Sequence, residues 1–348
     1  MGSRMKSEDS ITIKEVADRA GVSVATAGRA MGNYGHISAL TRQKVLKAAE
    51  ELNYVPNKLA QGMRSHNTRT IGVVVPDIQN NFFGSILAAM EKRARSKGYA
   101  LLICNTNENR EIELECLDML ASKQVDGILL ASIFSSKEEI PAKYIRTIFG
   151  NIPVVLYDRR ISGLPLTSVM IDNFSTAYMV TKYLIGMGHI DIATIGSEQE
   201  GSVSNTVKER EAGYRAALRE AGITNGGISI EVNWRKPEEM RRKINILLDY
   251  HKISAVIIFN NSLFAGFLNI TNKRNIRFPE NMSVVTWDDE DYDEFLNITA
   301  VRQPAAKMGE LAVDNLIEQI EDKKLSTEDI EITLNAKLMK RNSCRVNK

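Results

Sequence analysis

The chain has 348 residues, of which 43% are hydrophobic and 25% are charged, and its formal net charge at pH 7 is +2. This length allows two or three domains with a substantial core, and the composition is ordinary for a soluble globular protein. No apolar run approaches the roughly 20 residues needed to span a membrane, and the N-terminus has no apolar segment typical of a secretion signal.

Cysteine and histidine give no sign of a metal site. The three cysteines are odd in number and lack metal-ligand spacing, and the four histidines form no cluster. We therefore expect reduced thiols in a cytoplasmic protein that needs neither a metal nor another cofactor. Residues 1–10 are predicted to be a disordered tail or a cloning remnant.

Three short helices are predicted between residues 11 and 52. Apolar residues recur at helical spacing from Ile13 to Ala20, after Thr12, whose side chain can cap the helix. Gly21 allows a tight turn, because glycine adopts positive φ at little cost. Ser23 can cap a second helix over Val24–Met31. A third helix is predicted from about Ser38 to Leu52, and its apolar face comprises Leu40, Val45, Leu46, Ala49 and Leu52.

Two short helices joined by a glycine turn and backed by a third form a helix-turn-helix. In that arrangement the start of the second helix faces the major groove, so Val24 and Ala25 can contact a thymine methyl. Thr26 and Arg29 can hold a phosphate or a base edge. Residues 1–69 carry eleven Lys and Arg against six Asp and Glu, a net +5, while the rest of the chain is negative. This basic charge indicates a polyanionic partner, although a small helical bundle without a ligand is the alternative.

The same segment resembles the headpiece of the LacI/GalR family of bacterial transcription regulators. The matching motifs are T-I-K-E-V-A, A-G-V-S-V-A-T, S-x-x-T-R-x-K-V and L-N-Y-x-P-N-x-x-A. The resemblance implies a homodimer that binds a pseudo-palindromic operator in double-stranded DNA. The DNA-binding residues it implies are Thr12, Ser23, Val24, Ala25, Thr26, Arg29, His36, Ser38, Asn57, Lys58, Ala60 and Met63.

Two positions depart from the family pattern. Gly28 stands where a serine usually holds a phosphate, and Met63 stands where a leucine usually enters the minor groove. Met63 belongs to a predicted hinge helix, residues 57–66, between the helix-turn-helix domain (residues 11–56) and the remainder. Its few apolar residues cannot stabilise an isolated helix, so we expect it to be ordered by partners; a plain linker is the alternative.

From residue 67 onward the pattern changes to short apolar strands that alternate with helices. Strands that are apolar on both faces indicate parallel sheets covered by helices. The predicted architecture is thus an all-α headpiece followed by a two-lobed α/β body, which resembles the type I periplasmic-binding-protein fold. The expected effector-binding and dimerisation domain is residues 67–348, with an N-lobe (about 67–172 plus 303–325) and a C-lobe (about 173–298 plus 326–340). We expect residues 298–302 and a helix over Ala305–Ile320 to return to the first lobe.

Polar and aromatic side chains follow the predicted strands of both lobes. They are Asn80, Phe82, Phe83, Asp158, Arg159, Arg210, Trp234, Asn260, Trp287, Asp288 and Gln303. Ligands of such sheets bind beyond the carboxyl ends of the strands. Carboxylates, guanidinium groups and amides suit sugar hydroxyls, and aromatic faces suit sugar C–H groups. Each residue also has an ordinary alternative: the phenylalanines and Trp287 as core, and Asp158 with Arg159 as a surface ion pair.

These residues also resemble the N-N-P-F-F, L-D-R, R-x-x-G-[FY], N-D and F-D motifs of sugar-binding family members. The resemblance implies that the polar members bond hydroxyls and that Phe83, Trp234 and Trp287 contact the ring, with Phe82 a less certain contact. Asn81 replaces the usual proline, Asn261 the usual aspartate and Thr286 the usual glycine. The class of effector is therefore predicted more firmly than its identity.

Two other classes of protein were weighed. A periplasmic sugar receptor would share the body but would need a secretion signal and no basic headpiece. An enzyme with Asp158 or Asp288 as general base lacks support, because the chain has no G-x-G-x-x-G motif, no phosphate-binding loop and no nucleophile elbow. The sequence thus predicts a non-enzymatic repressor that a monosaccharide releases from DNA.

Overall fold

The computed structural model describes residues 11–32, 35–54, 68–199, 202–224, 227–250 and 252–347. The chain divides into two units, residues 1–69 and 70–348. The predicted tail and hinge helix, with Asn57, Lys58, Ala60 and Met63, lie outside the described residues, so these stay predictions. Within the part of the chain that the structure describes, every helix is too short or too polar to cross a bilayer.

Three helices form the first unit: α1 (Ile13–Ala20), α2 (Val24–Met31) and α3 (Ala39–Glu51). Each begins where a hydroxyl caps it: Thr12, Ser23 and Ser38 accept bonds from the backbone N–H groups three residues further on. Gly21 ends α1 at φ 68°, as predicted. The predicted apolar face of α3 is partly wrong, because Leu40 and Leu46 are exposed while Val45, Ala48 and Ala49 are buried.

The second unit contains two sheets. The strands of the first sheet are β1 (Thr70–Val75), β2 (Ala100–Asn105), β3 (Gly127–Leu130), β4 (Val154–Tyr157), β5 (Thr167–Ile171) and β12 (Ile330–Leu334). They are all parallel, in the order β12-β5-β4-β3-β1-β2. Its helices are α4 (Asn81–Ser96), α5 (Arg110–Ser122) and α11 (Ala305–Asp322), with short helical segments at Lys137–Glu139, Ala142–Tyr144 and Ile145–Phe149.

The strands of the second sheet are β6 (Ile192–Gln199), β7 (Ser202–Val203), β8 (Gly227–Val232), β9 (Ala255–Ile258), β10 (Ser283–Trp287), β11 (Thr299–Arg302) and β13 (Lys337–Met339). Their order is β13-β11-β10-β9-β6-β7, and β8 pairs in parallel with β6. Its helices are α6 (Asn173–Gly186), α7 (Asn205–Glu220), α8 (Pro237–Tyr250), α9 (Asn261–Lys273) and α10 (Asp291–Phe295). The predicted two-lobed α/β architecture is confirmed.

Two assignments of segments to lobes were wrong. The expected C-lobe segment 326–340 divides between the lobes, because β12 pairs with β5 of the first sheet and only β13 joins the second. Residues 299–302 stay in the second sheet beside β10, although we expected them to return with α11. The first error concerns a strand whose partner is distant in the sequence, and local patterns do not encode such pairing. The second concerns a strand that pairs with the strand immediately before it and was assigned to the wrong lobe.

Candidate functional sites

The headpiece presents a short polar surface at the start of α2. Ala25 and Arg29 are exposed, while Val24 and Thr26 are half-buried. Ala27 and Ala30 face inward onto Val16 of α1. The hydroxyls of Ser23 and Thr26 lie 2.9 Å apart, and Arg29 Nε donates to the Ala25 carbonyl at 3.3 Å. His36 and Ser38 are exposed beyond α2. The structure thus leaves Ala25, Arg29, His36 and Ser38 exposed, and their contact with DNA stays a prediction.

A cleft between the two sheets brings together ten of the eleven residues predicted to bind an effector. They are Asn80, Phe82, Phe83, Asp158, Arg159, Arg210, Trp234, Asn260, Asp288 and Gln303. The enclosed space between them is about 40 Å³, so their side chains lie close together around a small polar cavity. The residues meet because each follows the carboxyl end of a parallel strand or lies on a helix beside one.

Two aspartates occupy equivalent places in the two lobes. Asp158 follows β4 and Asp288 follows β10, and both have positive φ, 62° and 66°. Both are buried. Burial raises the pKa of Asp158, and it raises the pKa of Asp288 to about 6, against the opposing effect of Arg210. A strained backbone that holds a desolvated carboxylate in a cleft is typical of a binding site rather than of packing.

Arg210 of α7 is the buried cation beside these aspartates. Its Nε donates to Asn173 Oδ1 at 2.8 Å, and one terminal nitrogen donates to the Phe259 carbonyl at 2.5 Å. Burial lowers the pKa of Arg210, and the charges of Asp288 and Asp158 counter that effect. Since two of its nitrogens already have protein partners, the guanidinium is held in place before any ligand binds.

Arg159 has more hydrogen-bond partners within the protein than the sequence indicated. Its two terminal nitrogens donate to both carboxylate oxygens of Glu108, at 2.8 and 2.6 Å. Burial alone would raise the pKa of Glu108, but Arg159 brings it below its ordinary value. The predicted role of Arg159 as a donor to a ligand hydroxyl is therefore restricted, because its fork faces a protein carboxylate.

Three further predicted residues already use one polar atom of the side chain in a hydrogen bond within the protein, which leaves the other atom for a ligand. Asn80 and Asn260 cap α4 and α9 through their Oδ1 atoms, which accept from Phe82 and Ser262 at 2.9 and 2.8 Å. Their amide nitrogens are the groups left for a ligand. Gln303 donates to Asp288 Oδ1 at 2.5 Å, while its own oxygen is buried without a protein partner.

Trp287 is the predicted residue that does not line the cleft. It is fully buried, packs edge-on against Phe259, and its ring centroid lies 4.3 Å from the Arg210 guanidinium carbon. The expectation of a direct ring contact with the ligand is thus corrected: Trp287 supports Arg210 from behind. Trp234 does line the cleft, with Arg235 stacked on its ring at 4.5 Å.

Seven lining residues were missed in the sequence: Asp77, Glu108, Ser197, Ser204, Thr206, Val207 and Ser262. Asp77 and Glu108 follow β1 and β2. The strand-end rule, that ligands of parallel sheets bind beyond the carboxyl ends of the strands, identified Asp158 and could have identified them too. Ser204 and Thr206 lie at the start of α7. Their signal was weak, because serine and threonine are common helix caps without any ligand.

Glu113 of α5 is a buried carboxylate that does not line the cleft. It accepts from the Ser132 hydroxyl at 2.5 Å and from Ile133 N–H at 2.8 Å. Burial raises the pKa of Glu113 to about 7, despite these bonds. Between pH 4.5 and 7 the folded state therefore binds more protons than the unfolded state, so this group makes stability fall as the pH rises.

We expect a Glu113→Gln variant to lose that dependence. Relative to the variant, the wild-type protein should gain about 2 kcal/mol of unfolding free energy between pH 7.5 and pH 5, as a shift of this size implies. Urea unfolding of both proteins at the two pH values measures it. Glu139→Gln, which changes a partly exposed carboxylate paired with Arg110, is the control. Equal pH dependence in wild type and Glu113→Gln would contradict the assignment.

A helix-turn-helix headpiece and a two-lobed α/β body with a polar cleft, within one chain, define a ligand-responsive DNA-binding regulator. Two family models match the chain. "Bacterial regulatory proteins, lacI family" covers residues 12–57, and "Periplasmic binding proteins and sugar binding domain of LacI family" covers residues 68–342. The chain belongs to the LacI family, and it is a DNA-binding transcriptional regulator.

Curated relatives agree over nearly the whole length. The HTH-type transcriptional repressor PurR of Vibrio campbellii is 31% identical over 316 residues, which are 90% of this chain and 93% of that protein. The HTH-type transcriptional regulator DegA of Bacillus subtilis is 33% identical over 301 residues, or 86% of this chain and 88% of that protein. Both relatives are regulators of transcription.

Solved structures share the fold. A Lac repressor dimer bound to operator and the anti-inducer ONPF has a TM-score of 0.82 at 23% identity, with 96% of this chain and 99% of that chain covered. A complex of the regulator CelR with cellobiose has a TM-score of 0.67 at 26% identity, with the same coverage. A regulator from Alkaliphilus metalliredigens with D-xylulofuranose has a TM-score of 0.65 at 25% identity and covers 79% of this chain and 99% of that one.

Proposed function

We propose that the chain is a homodimeric repressor of a pseudo-palindromic operator and that a monosaccharide bound in the cleft releases it from DNA. The observation that carries the proposal is that two buried aspartates, Asp158 from one lobe and Asp288 from the other, lie beside the buried Arg210. A sugar can bond both lobes through these groups at once. The complexes of similar regulators with cellobiose and D-xylulofuranose support a carbohydrate ligand.

In the proposed mechanism, ligand binding closes the cleft and changes the angle between the lobes, which moves the two hinge segments of the dimer. Operator affinity and ligand affinity are then coupled reciprocally. Such coupling is typically about 1–3 kcal/mol, which corresponds to roughly a 5–150-fold change in operator affinity.

Fluorescence anisotropy with the full chain tests this function. A palindromic duplex is first selected from a random-sequence pool, and its affinity is then measured with and without individual pentoses, hexoses and their phosphates. We expect at least one sugar to weaken operator binding within the range above. Tight DNA binding that no carbohydrate changes would refute the effector, and failure to bind any duplex at low salt would refute the whole proposal.

The DNA-contacting surface is tested by Ala25→Glu. Ala25 is exposed at the start of α2, so a carboxylate there would face phosphates and base edges. We expect operator affinity to fall at least about 100-fold, because a repelled charge replaces an apolar contact. Lys47→Gln, an equal change of charge on the exposed side of α3, is the control and should cost only a few-fold. Equal losses in both variants would mean that only net charge matters.

A further inference from the structure

We propose that Glu108 determines the class of ligand that the cleft accepts: by neutralising Arg159 it makes the site select an uncharged sugar over a phosphorylated one. This inference rests on the proposed effector function and narrows it. Glu108 follows β2 in the loop N-T-N-E-N, and none of the motifs recognised in the sequence includes it.

The first step is the geometry of the pair. Arg159 donates through both terminal nitrogens to both oxygens of Glu108, and the two side chains are 9% and 16% exposed. A bidentate pair of this kind fixes the guanidinium plane and occupies the face that recognises a phosphate. The remaining nitrogen, Nε, is buried and lies 3.6 Å from Asp158. Arg159 therefore has little left to offer an anion.

The second step is the net charge of the residues that line the cleft. Four carboxylates line it: Asp77, Glu108, Asp158 and Asp288. The Arg159 charge is matched by Glu108, and Arg235 lies 3.4 Å from Asp77. Arg235 does not line the cleft, but with its charge counted against Asp77 this leaves Asp158 and Asp288 against Arg210, a net charge of −1. A neutral sugar can donate hydroxyls to these carboxylates, whereas a phosphate dianion would be repelled in a poorly solvated site.

The third step is the effect of removing the Glu108 charge. In Glu108→Gln the amide oxygen can still accept from Arg159, but the cation is no longer neutralised. The cleft then changes from −1 to neutral and gains a guanidinium able to pair with phosphate. The variant should therefore shift preference toward phosphorylated ligands while keeping the hydroxyl-binding groups.

Isothermal titration of the full chain with D-ribose, D-glucose, ribose 5-phosphate and glucose 6-phosphate tests the inference. We expect the wild-type protein to bind a neutral sugar at least tenfold more tightly than its phosphate. Glu108→Gln should reduce that ratio at least tenfold, about 1.4 kcal/mol. The Glu108→Gln/Arg159→Gln double variant removes both charges together, so it should restore the wild-type ratio.

Glu91→Gln is the matched control, since Glu91 pairs with Arg95 on an exposed face of α4 and should leave the ratio unchanged. Thermal melting verifies that each variant is folded. If Glu108→Gln does not fold, Glu108→Asn provides the same test, because it also leaves Arg159 without a neutralising carboxylate and asparagine tolerates the positive φ of this position, 57°. A wild-type preference for a phosphate, or an unchanged ratio in folded Glu108→Gln, overturns the role of Glu108 and leaves the proposed function intact. If neither these four compounds nor any carbohydrate of the anisotropy screen binds, the sugar-effector function itself fails and this inference with it.

Discussion

Replacing Arg210 by methionine is expected to destabilise the second unit, residues 70–348, by about 3–5 kcal/mol and to abolish the proposed ligand response. The change leaves Asp158 and Asp288 without their shared cation, and it removes the donors to Asn173 and to the Phe259 carbonyl. A buried carboxylate that loses its counter-charge is costly, as is a buried acceptor that loses its donor. Acidification should relieve part of the loss, because the freed carboxylates can be protonated.

Urea unfolding followed by tryptophan fluorescence measures the stability change, since both tryptophans of the chain lie in the second lobe, one of them against Arg210. Operator binding with and without sugar measures the response. Arg215→Met is the control on the same helix: its ion pair with Glu211 is partly exposed and should be worth at most about 1 kcal/mol. A variant of Arg210 as stable and as responsive as that control would refute the central place of Arg210 in the site.

Gly213→Ala is expected to destabilise the protein by about 3 kcal/mol or more. Gly213 lies one turn after Arg210 on α7, where that helix approaches α6 closely. An added Cβ would lie 2.1 Å from the Phe174 carbonyl oxygen and 3.0 Å from the Tyr178 nitrogen. Both atoms belong to backbone, which cannot move aside as a flexible side chain could, so the two helices would have to separate.

Gly84→Ala is the matched control for this prediction. Gly84 lies within α4, and an added Cβ there would meet no atom within 4 Å. Alanine has the higher helix propensity, so this variant should gain up to about 1 kcal/mol. Unfolding midpoints of the two variants provide the comparison. If Gly213→Ala were neutral, the close approach of α6 and α7 would be contradicted, and with it the reason for the spacing of R-x-x-G in this chain.

The glycine of that motif illustrates how function and packing are connected. Arg210 reaches the cleft because α7 lies close against α6, and the contact with Asn173 at the start of α6 holds the guanidinium. One short motif thus contains both a cation that lines the cleft and the small residue that lets its helix approach. The motif was recognised in the sequence as a resemblance, but its physical reason became visible only with the helices in place.

Local structure could be predicted well because the signals were local. The hydroxyl caps at Thr12, Ser23 and Ser38, the turn at Gly21 and the continuous apolar strands each depend on residues within a few positions of one another. The strand-end rule likewise placed Asp158 at the carboxyl end of β4 in the first sheet and Asp288 at the carboxyl end of β10 in the second, and both line the cleft between the sheets. The sequence by itself therefore determined the family, the two-lobed architecture and most of the cleft lining.

The tertiary structure alone decided which side chains are available to a ligand. The pairing of Arg159 with Glu108 joins the loops after β4 and β2, 51 positions apart, and Trp287 at the end of β10 is buried behind Arg210 of α7. The return of β12 to the first sheet is equally non-local. These contacts form only when distant parts of the chain pack together. The residues next to each partner in the sequence therefore do not predict them. For this reason the composition of the site could be predicted, while its charge balance could not.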